Sequence, residues 1–247
     1  MGKNTARSLS ESGKVFNKML EGFMCRQDIN VVFETLLDMF ICGASYDKKY
    51  QEIRDANVQR FSDKEKSLLS NIFKEVFVIQ HKEICDNGKP WHDTWGEMYE
   101  HISGNGKRSG MGQFFTPGHV CDMMVQMTIN KEESGKRISD PCSGSGRFIL
   151  ASHAWNPRNF HYASDLDLLC CKMTVVNMFL HGVKGEAVHK NALDNTNYYQ
   201  GWEINMQGLG IRELKREDSL QAKMDKNLFF EYHNKQNKSL TLQKQLL

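Results

Sequence analysis

A glycine-rich turn between a short strand and a helix constrains the fold of this chain more than any other feature. Residues 140–146 read Asp-Pro-Cys-Ser-Gly-Ser-Gly, after a predicted strand over 137–140 and before an apolar helical run that starts at Phe148. Glycine permits a tight turn and lets a ligand approach the backbone closely. The N–H groups at the start of a helix attract negative charge. The turn therefore predicts a binding site for a ligand that carries a carboxylate or a phosphate.

The elements beyond this turn predict an α/β fold. A second strand is predicted over 161–165, a helix over 168–180 and a weaker third strand over 186–189. Strands that alternate with helices in this order pair in parallel, as in doubly wound sheets. We therefore expect a parallel sheet with the glycine-rich turn at the end of its first strand.

The chain divides into four segments by pattern and composition. Apolar positions recur at helical spacing across residues 1–103, where residues 62–65 form a helix-capping motif, so we predict a helical N-terminal domain. Residues 104–112 contain four glycines and two cations, which is typical of an exposed linker. The strand–helix pattern occupies 113–210. The polar residues 211–247 predict a C-terminal tail with one or two amphipathic helices.

Composition excludes several classes of protein. Hydrophobic residues make up 40% and charged residues 25% of the chain, as in soluble proteins with a packed core. No apolar run approaches the roughly 18 residues of a membrane span, and residues 1–20 lack the apolar core of a signal peptide. The seven cysteines include no Cys-x-x-Cys pair, so we predict neither disulfides nor a metal site. We expect a cytoplasmic protein with reduced thiols and no membrane contact.

The residues of the turn narrow the choice of ligand. The phosphate loop of nucleotide triphosphatases needs Gly-Lys-Ser/Thr, but Arg147 follows Gly146. A dinucleotide-binding loop needs a third glycine where Ile149 stands. Asp140 would repel a pyrophosphate at short range but can accept an ammonium group. S-adenosylmethionine carries both an ammonium group and a carboxylate, so it fits Asp140 and the free helix amides together.

A second acid supports this cofactor. Asp165 ends the second predicted strand, about twenty residues after the turn, where it could accept hydrogen bonds from both ribose hydroxyls of an adenosyl group. Asp167 is the alternative for the same role. Aspartates are also common helix caps, so a purely structural role is the other interpretation of Asp140 and Asp165.

Several motifs, in order along the chain, resemble those of adenine-N6 DNA methyltransferases. Residues 112–117 (Gly-Gln-Phe-Phe-Thr-Pro) resemble the segment that opens the methylase domain, and 140–146 resemble the cofactor-binding signature of this family. Residues 164–167 and 176–182 are similar to its acidic strand end and the helix after it. Residues 93–100 resemble the short helix that precedes the opening segment. The resemblance is closest to the modification subunits of type I restriction systems.

This resemblance implies a Rossmann-like S-adenosylmethionine-dependent methyltransferase domain. The positions around the methionine part of the cofactor would be Gln113, Phe114 and Thr116, and those of the pocket floor Gly144, Ser145 and Gly146. Asp140 would meet the ammonium group and Asp165 the ribose. Asn191 stands where the family usually has an acid, and its amide offers the adenine edge both a donor and an acceptor. Packing by Phe114 and helix capping by Thr116 are the alternative interpretations.

Two polar residues beside these motifs receive smaller roles. Asp93 is predicted to cap a short helix that carries Trp95, Met98 and Tyr99. Arg147 lies past the turn, and we expect it to matter less for cofactor binding than the two acids.

The motif that performs methyl transfer in this family is missing. The family needs Asn/Asp-Pro-Pro-Tyr/Phe after a fourth strand, where a polar side chain and a prolyl carbonyl accept hydrogen bonds from the target amino group and the aromatic ring stacks on the flipped base. The prolines of the chain are Pro90, Pro117, Pro141 and Pro157, all before the third strand. Residues 195–198 match only the outer positions, and a fourth strand over 202–206 would place the motif at 207–210. No catalytic residue is identified.

The stretch after residue 185 also holds only about two strand–helix–strand units of roughly 30 residues each. We therefore expect an incomplete parallel sheet. The net charge of +2 says little about nucleic acids, so DNA contact would depend on the basic clusters at 107–108 and 212–216.

Three functions stay open. The first is an adenine-N6 DNA methyltransferase, or a subunit of one, whose catalytic loop is divergent or supplied by a partner. The second is a catalytically inactive protein that keeps S-adenosylmethionine or DNA binding in a regulatory role. The third is a methyltransferase for proteins or small molecules, against which the same missing motif counts. The expected partners are double-stranded DNA and a specificity or second methylase subunit, which would dock on the helical N-terminal domain.

Overall fold

The computed structural model describes residue 22 and residues 28–102, 115–194 and 197–224. The helices are α1 (Ile29–Ala44), α2 (Lys48–Val58), α3 (Asp63–His81), α4 (Thr94–Ile102), α5 (Gly118–Thr128), α6 (Arg147–Trp155) and α7 (Leu168–Leu180), and the π-helical turn Lys82–Asp86 follows α3. The strands are β1 (Arg137–Asp140), β2 (Phe160–Asp165), β3 (Gly185–His189), β4 (Gln200–Ile204) and β5 (Ile211–Glu213). The predicted linker 104–112, Gln113, Phe114 and most of the predicted C-terminal tail lie outside the described residues.

Side-chain caps explain where two of the helices begin. The predicted capping box at the start of α3 is confirmed, because the Ser62 hydroxyl accepts from the Glu65 N–H and the Glu65 carboxylate accepts from the Ser62 N–H at 2.8 Å. Asp167 caps α7, where its carboxylate accepts from the Leu169 N–H at 2.8 Å. The cap on α7 matters for the site, because it gives Asp167 a local role.

The strands form one mixed sheet in the order β1-β2-β3-β4-β5. β1, β2 and β3 are parallel, with α6 and α7 as the crossovers, whereas β4 and β5 are antiparallel to their neighbours. The predicted parallel sheet is therefore correct for β1–β3 and wrong for β4 and β5. A parallel connection needs a dozen or more residues, usually a helix, and only residues 190–199 separate β3 from β4.

The N-terminal helices share a hydrophobic core with the sheet. Trp95 on α4 and Trp202 on β4 are both fully buried in one continuous cluster that also holds the apolar faces of α1, α3 and α7. The Trp95 ring contacts Phe40 of α1 edge-on, at 5.2 Å between centroids. Lys172 of α7 lies 2.8 Å from Asp38 Oδ1 of α1, so an ion pair joins the same two layers. The predicted domain boundary at residue 103 stays a prediction.

The two outer strands of the sheet differ in what covers them. Beside β5, Ser45 forms a β-bridge with Ile211, and Lys49 pairs with Glu213 at 2.9 Å. Within the described ranges no strand pairs with the outer edge of β1. No described helix combines the length and the apolarity that crossing a bilayer requires.

Candidate functional site

The parallel strands bring the predicted acids to one edge of the sheet. Asp140 ends β1 opposite Ala163 of β2, and Asp165 ends β2 opposite His189 of β3. Asn191 follows β3 directly. The carboxyl ends of parallel strands are the usual place for ligands in α/β sheets. We call this region, formed by the carboxyl ends of β1, β2 and β3, the carboxyl edge.

The glycine-rich turn is held in a conformation that only glycine adopts easily. Gly144 has φ 56° and Gly146 has φ 92°, both in the left-handed region where a Cβ atom is disfavoured. The Thr174 hydroxyl of α7 donates to the Gly144 carbonyl at 2.9 Å. A Cβ atom on Gly144 would lie 2.9 Å from the Phe115 ring. The turn is therefore packed closely on both sides.

Asp165, at the end of the neighbouring strand β2, stabilises the glycine-rich turn by hydrogen bonding. Its Oδ2 accepts from the Gly144 N–H at 2.8 Å, and its Oδ1 accepts from the Asp167 N–H at 3.0 Å. The helix cap in this region is Asp167, so Asp165 does not have the capping role that was its alternative interpretation. Each carboxylate oxygen accepts two hydrogen bonds, which leaves Asp165 with capacity for hydroxyl donors.

A cavity of about 290 Å³ opens at the carboxyl edge beside the turn. Residues 139–145 line it together with Phe115, Thr116, Cys121, Met124, Arg147 and Phe148. Of the predicted site residues, the cavity therefore brings together Thr116, Asp140, Gly144 and Ser145. Gly146, Asp165 and Asn191 lie outside its lining, although Asp165 is bonded to Gly144.

Asp140 is the acid in this cavity. Its Oδ1 accepts a hydrogen bond from the Cys142 N–H at 3.2 Å. Burial raises the pKa of the Asp140 carboxyl above its usual value, the Cys142 N–H lowers it, and the charge of Asp165 raises it again. A cation placed beside Asp140 would offset this unfavourable burial of negative charge.

The side chain of Asn191 makes a hydrogen bond within its own loop, in addition to the role predicted for it at the adenine edge. Its Oδ1 accepts from the Leu193 N–H at 3.0 Å, an Asx turn of the kind common in loops. The residue before Asn191 contacts the end of β2, because the Lys190 N–H donates to the Asp165 carbonyl at 3.0 Å. Among the described residues, no hydrogen bond from the NH₂ group of Asn191 is found.

The described residues after β3 do not carry the missing catalytic motif to this edge. β4 runs antiparallel, and its end, Ile204, pairs with Gly185 at the start of β3. Residues 205–210 therefore turn at the opposite edge of the sheet, where the Asn205 amide donates to the Val183 carbonyl at 3.0 Å. Tyr198 donates from its hydroxyl to the Leu214 carbonyl, which is a packing role, and Tyr199 is 57% exposed beside His189. Residues 195–196 lie outside the described residues.

The polar group behind the turn was not predicted from the sequence. Asp93, predicted as a helix cap, does accept from the Gly96 N–H at 2.8 Å, and it also accepts from the Ser145 hydroxyl at 2.6 Å and pairs with Arg147 at 2.5 Å. The expectation that Arg147 matters less for cofactor binding than the two acids stays a prediction, and the structure shows that its side chain is buried and lines the cavity. Within the described ranges, no group of three or more His, Cys, Asp or Glu side chains could hold a metal ion.

The part of the chain that holds the carboxyl edge matches a known protein family. A family model described as N-6 DNA Methylase matches residues 91–226. The chain is 23% identical over 166 residues to the type I restriction enzyme StySPI methylase subunit of Salmonella potsdam, which covers 52% of this chain and 31% of that protein. It is 24% identical over 179 residues to the StySJI methylase subunit of Salmonella typhimurium, which covers 58% and 33%. The chain thus spans about a third of the length of these curated relatives.

Among solved structures, the chain is similar to the crystal structure of the type I restriction-modification system methyltransferase subunit from Streptococcus thermophilus. The TM-score is 0.36 at 17% sequence identity, and the alignment covers 69% of this chain and 44% of that one.

Proposed function

Because the chain belongs to the N-6 DNA methylase family, we propose that its carboxyl edge binds S-adenosylmethionine. The observation that carries this proposal is the placement of Asp140 in one cavity with the glycine-rich turn that begins α6. One zwitterionic ligand could meet a carboxylate and free helix amides there at the same time. A phosphate ligand would meet the Asp140 charge instead and be disfavoured.

Each residue of the carboxyl edge receives a role in this proposal. Asp140 would accept hydrogen bonds from the ammonium group, and the first amides of α6 would donate to the carboxylate of the ligand. Asp165 would accept from the ribose hydroxyls while it keeps its bond to Gly144. Asn191 would pair with the adenine edge. When bound, S-adenosylmethionine supplies the methyl group for transfer to an adenine amino group.

The cavity and the turn fit such a ligand. A volume of about 290 Å³ lies near the lower end of the roughly 300–1,000 Å³ typical of ligand pockets. Gly144 lines this space, and because it has no side chain, a ligand can approach its backbone closely. Thr116 is exposed on the cavity wall, where it could contact the methionine part. Gln113 and Phe114, which lie outside the described residues, keep their proposed roles at the methionine part.

We also propose that this chain alone transfers methyl groups to adenine slowly or not at all. Flipping a base out of a duplex costs a few kcal/mol, which stacking and hydrogen bonds in the pocket must offset. The antiparallel direction of β4 carries residues 205–210 away from the cavity, and no Pro-Pro pair occurs in the chain. A catalytic loop would then come from a partner, or the chain is a binding protein without methyl transfer.

DNA and partner subunits are proposals of the same kind. The curated relatives are methylase subunits of type I restriction enzymes, so double-stranded DNA and a specificity or second methylase subunit are the partners we propose for this chain. Docking of the partner subunit on the N-terminal helices is the arrangement we expect.

Calorimetric titration with S-adenosylmethionine tests the cofactor proposal. Asp140→Asn keeps the size of the side chain and an acceptor for the Cys142 N–H but removes the charge that would meet the ammonium group. A charge-assisted hydrogen bond contributes about 1.5–3 kcal/mol, so affinity should fall about 10- to 100-fold. Asp122→Asn is the matched control, because Asp122 accepts from the Trp91 indole at 2.8 Å and does not line the cavity. Equal affinity of Asp140→Asn and the wild type would refute the assigned orientation.

A methyl-transfer assay tests the proposal on catalysis. The purified chain is incubated with labelled cofactor and unmethylated double-stranded DNA of mixed sequence, and we expect little or no incorporation. Robust incorporation that is lost in Asp140→Asn would show that the chain contains an unrecognised catalytic group. Incorporation that begins only when a second methylase subunit is added would place the catalytic loop in the partner.

A further inference from the structure

The carboxylate of Asp93 makes four hydrogen bonds behind the glycine-rich turn. Its Oδ2 accepts from the Ser145 hydroxyl at 2.6 Å and from Arg147 Nε at 2.5 Å. Its Oδ1 accepts from the Gly96 N–H at 2.8 Å and from Asn177 Nδ2 at 2.7 Å. Four donors fill the acceptor positions of a carboxylate. Asp93 therefore joins α4, the turn and α7 at one point.

Asn177 strengthens this junction from α7. The same Nδ2 group that donates to Asp93 also donates to the Ser145 carbonyl at 2.8 Å. Ser145 is thus held by its hydroxyl and by its backbone oxygen. Because Ser145 lines the cavity, the junction determines where the floor of the proposed cofactor site lies.

Arg147, which also lines the cavity, extends the junction to Phe115 and Thr116. Besides Asp93, its guanidinium donates to Glu100 Oε2 at 3.1 Å and to the Thr116 carbonyl at 3.4 Å, and it lies 5.4 Å from the Phe115 ring centre. Burial alone would lower the pKa of Arg147, but Asp93 and Glu100 outweigh burial and raise it. The Asp93 and Arg147 side chains are only 2% and 8% exposed, so water screens this pair little.

Gly96 lets α4 approach the turn this closely. A Cβ atom at residue 96 would lie 2.0 Å from Asp93 Oδ2 and 2.5 Å from Ser145 Oγ. Both distances are far below any van der Waals contact, so even alanine would push Asp93 and Ser145 apart. The close approach requires glycine at this helical position.

We propose that Asp93 is a positioning residue for the cofactor, which holds Ser145 and, through Arg147, the Phe115–Thr116 wall in the arrangement that binds S-adenosylmethionine. This inference rests on the proposed function. Asp93 itself does not line the cavity, so it acts through the residues that it holds. The affinity of the site then depends on how well the N-terminal helices are docked on the sheet.

The size of the effect follows from the order that Asp93 imposes. A turn that is already ordered binds without the entropy loss of becoming ordered. Fixing the backbone of even one residue corresponds to about a tenfold change in affinity. We therefore expect loss of the Asp93 contacts to weaken S-adenosylmethionine binding at least tenfold, without removing any group that touches the ligand.

The test compares three variants of the full chain by calorimetric titration with S-adenosylmethionine. Asp93→Asn removes the charge and reverses half of the hydrogen-bonding pattern. Gly96→Ala leaves every polar group in place and separates Asp93 from Ser145 by bulk alone. Asp38→Asn is the matched control, because it weakens a buried ion pair with Lys172, 2.8 Å away, that does not touch the turn. Alanine favours helix over glycine, so propensity alone does not destabilise α4 in Gly96→Ala.

Partial unfolding would raise the apparent Kd by the inverse of the folded fraction, so urea denaturation measures the folded fraction of each variant and titration then gives the Kd of the folded molecules. We expect Asp93→Asn and Gly96→Ala to bind one ligand with Kd raised at least tenfold, and Asp38→Asn to keep the wild-type Kd. Gly96→Ala keeps all the polar groups, so it still tests the inference if Asp93→Asn does not fold. An unchanged Kd in Gly96→Ala would overturn the inference.

Hydrogen exchange of the ligand-free protein tests the inference separately from the proposed function. We expect the amides of residues 144–147 to exchange faster in Asp93→Asn and Gly96→Ala than in Asp38→Asn. If the wild type does not bind S-adenosylmethionine but this difference is present, the proposed function fails and the positioning role of Asp93 stands. Equal exchange in all variants overturns the positioning role.

Discussion

Replacing Asp165 with asparagine separates its two roles at the carboxyl edge. In the native chain the carboxylate accepts from the Gly144 N–H at 2.8 Å and from the Asp167 N–H at 3.0 Å. Asparagine has one carbonyl oxygen, so it can satisfy one of these donors and turns its NH₂ group toward the other. It also removes the charge that the proposal assigns to the ribose hydroxyls.

Two magnitudes follow for Asp165→Asn. The loss of one backbone hydrogen bond to the carboxylate should lower the free energy of unfolding by about 1.5–3 kcal/mol. The loss of charge-assisted bonds to two hydroxyls, each contributing about 1.5–3 kcal/mol, should weaken S-adenosylmethionine binding by at least about tenfold. The affinity loss should therefore exceed what the change in stability explains.

Urea denaturation measures the free energy of unfolding of Asp165→Asn, and calorimetric titration measures its affinity for S-adenosylmethionine. Asp167→Asn is the comparison, because asparagine and aspartate are about equally good helix caps and Asp167 is the alternative ribose ligand. We expect Asp167→Asn to keep the wild-type affinity. A loss of affinity in Asp167→Asn with none in Asp165→Asn would refute the assignment and transfer the ribose role to Asp167.

Three further outcomes test the fold and the site. Burial lowers the pKa of His92 and His181 to about 4 and that of His161 to about 3. Below pH 6.5 the unfolded chain therefore binds protons that the native chain does not, so the free energy of unfolding should fall as the pH drops from 6.5 toward 4, by at most about 1.4 kcal/mol per pH unit for each histidine. Equal free energies of unfolding in urea at pH 7.5 and pH 5.0 would contradict this. Gly144→Ala, at φ 56°, should lower the free energy of unfolding by about 1–2 kcal/mol and weaken cofactor binding, which thermal denaturation and calorimetry check. Limited proteolysis should cleave first within residues 104–112, because exposed glycine-rich backbone is cut readily, and earlier cleavage within 140–190 would argue against the predicted boundary.

Local signals in the sequence predicted the parts of the site that depend on neighbouring residues. The strand ends at Asp140 and Asp165 and the glycine-rich turn between β1 and α6 all lie where the pattern placed them, because turn chemistry and periodicity act over a few residues. The direction of β4 is different, since the apolar pattern of a strand is the same in both directions. The short connection over 190–199 was the signal against a parallel strand.

The junction at Asp93 could not be predicted from one sequence. Its partners Ser145 and Arg147 lie 52 and 54 residues away along the chain. Asp93 satisfies a local rule as the cap of α4, which gives no sign of the other contacts. Arg147 has no acid beside it in the sequence, and it is the packing of α4 on the sheet that brings Asp93 and Glu100 to its guanidinium.

A crystal structure of the chain with S-adenosylhomocysteine, the demethylated form of the cofactor, tests the proposed site most directly. We predict the ligand at the carboxyl edge, with its amino group within hydrogen-bonding distance of Asp140, its carboxylate at the start of α6 and its ribose hydroxyls on Asp165. A ligand bound elsewhere on the chain, or one bound at this edge with its adenine rather than its amino group beside Asp140, would contradict the assignment.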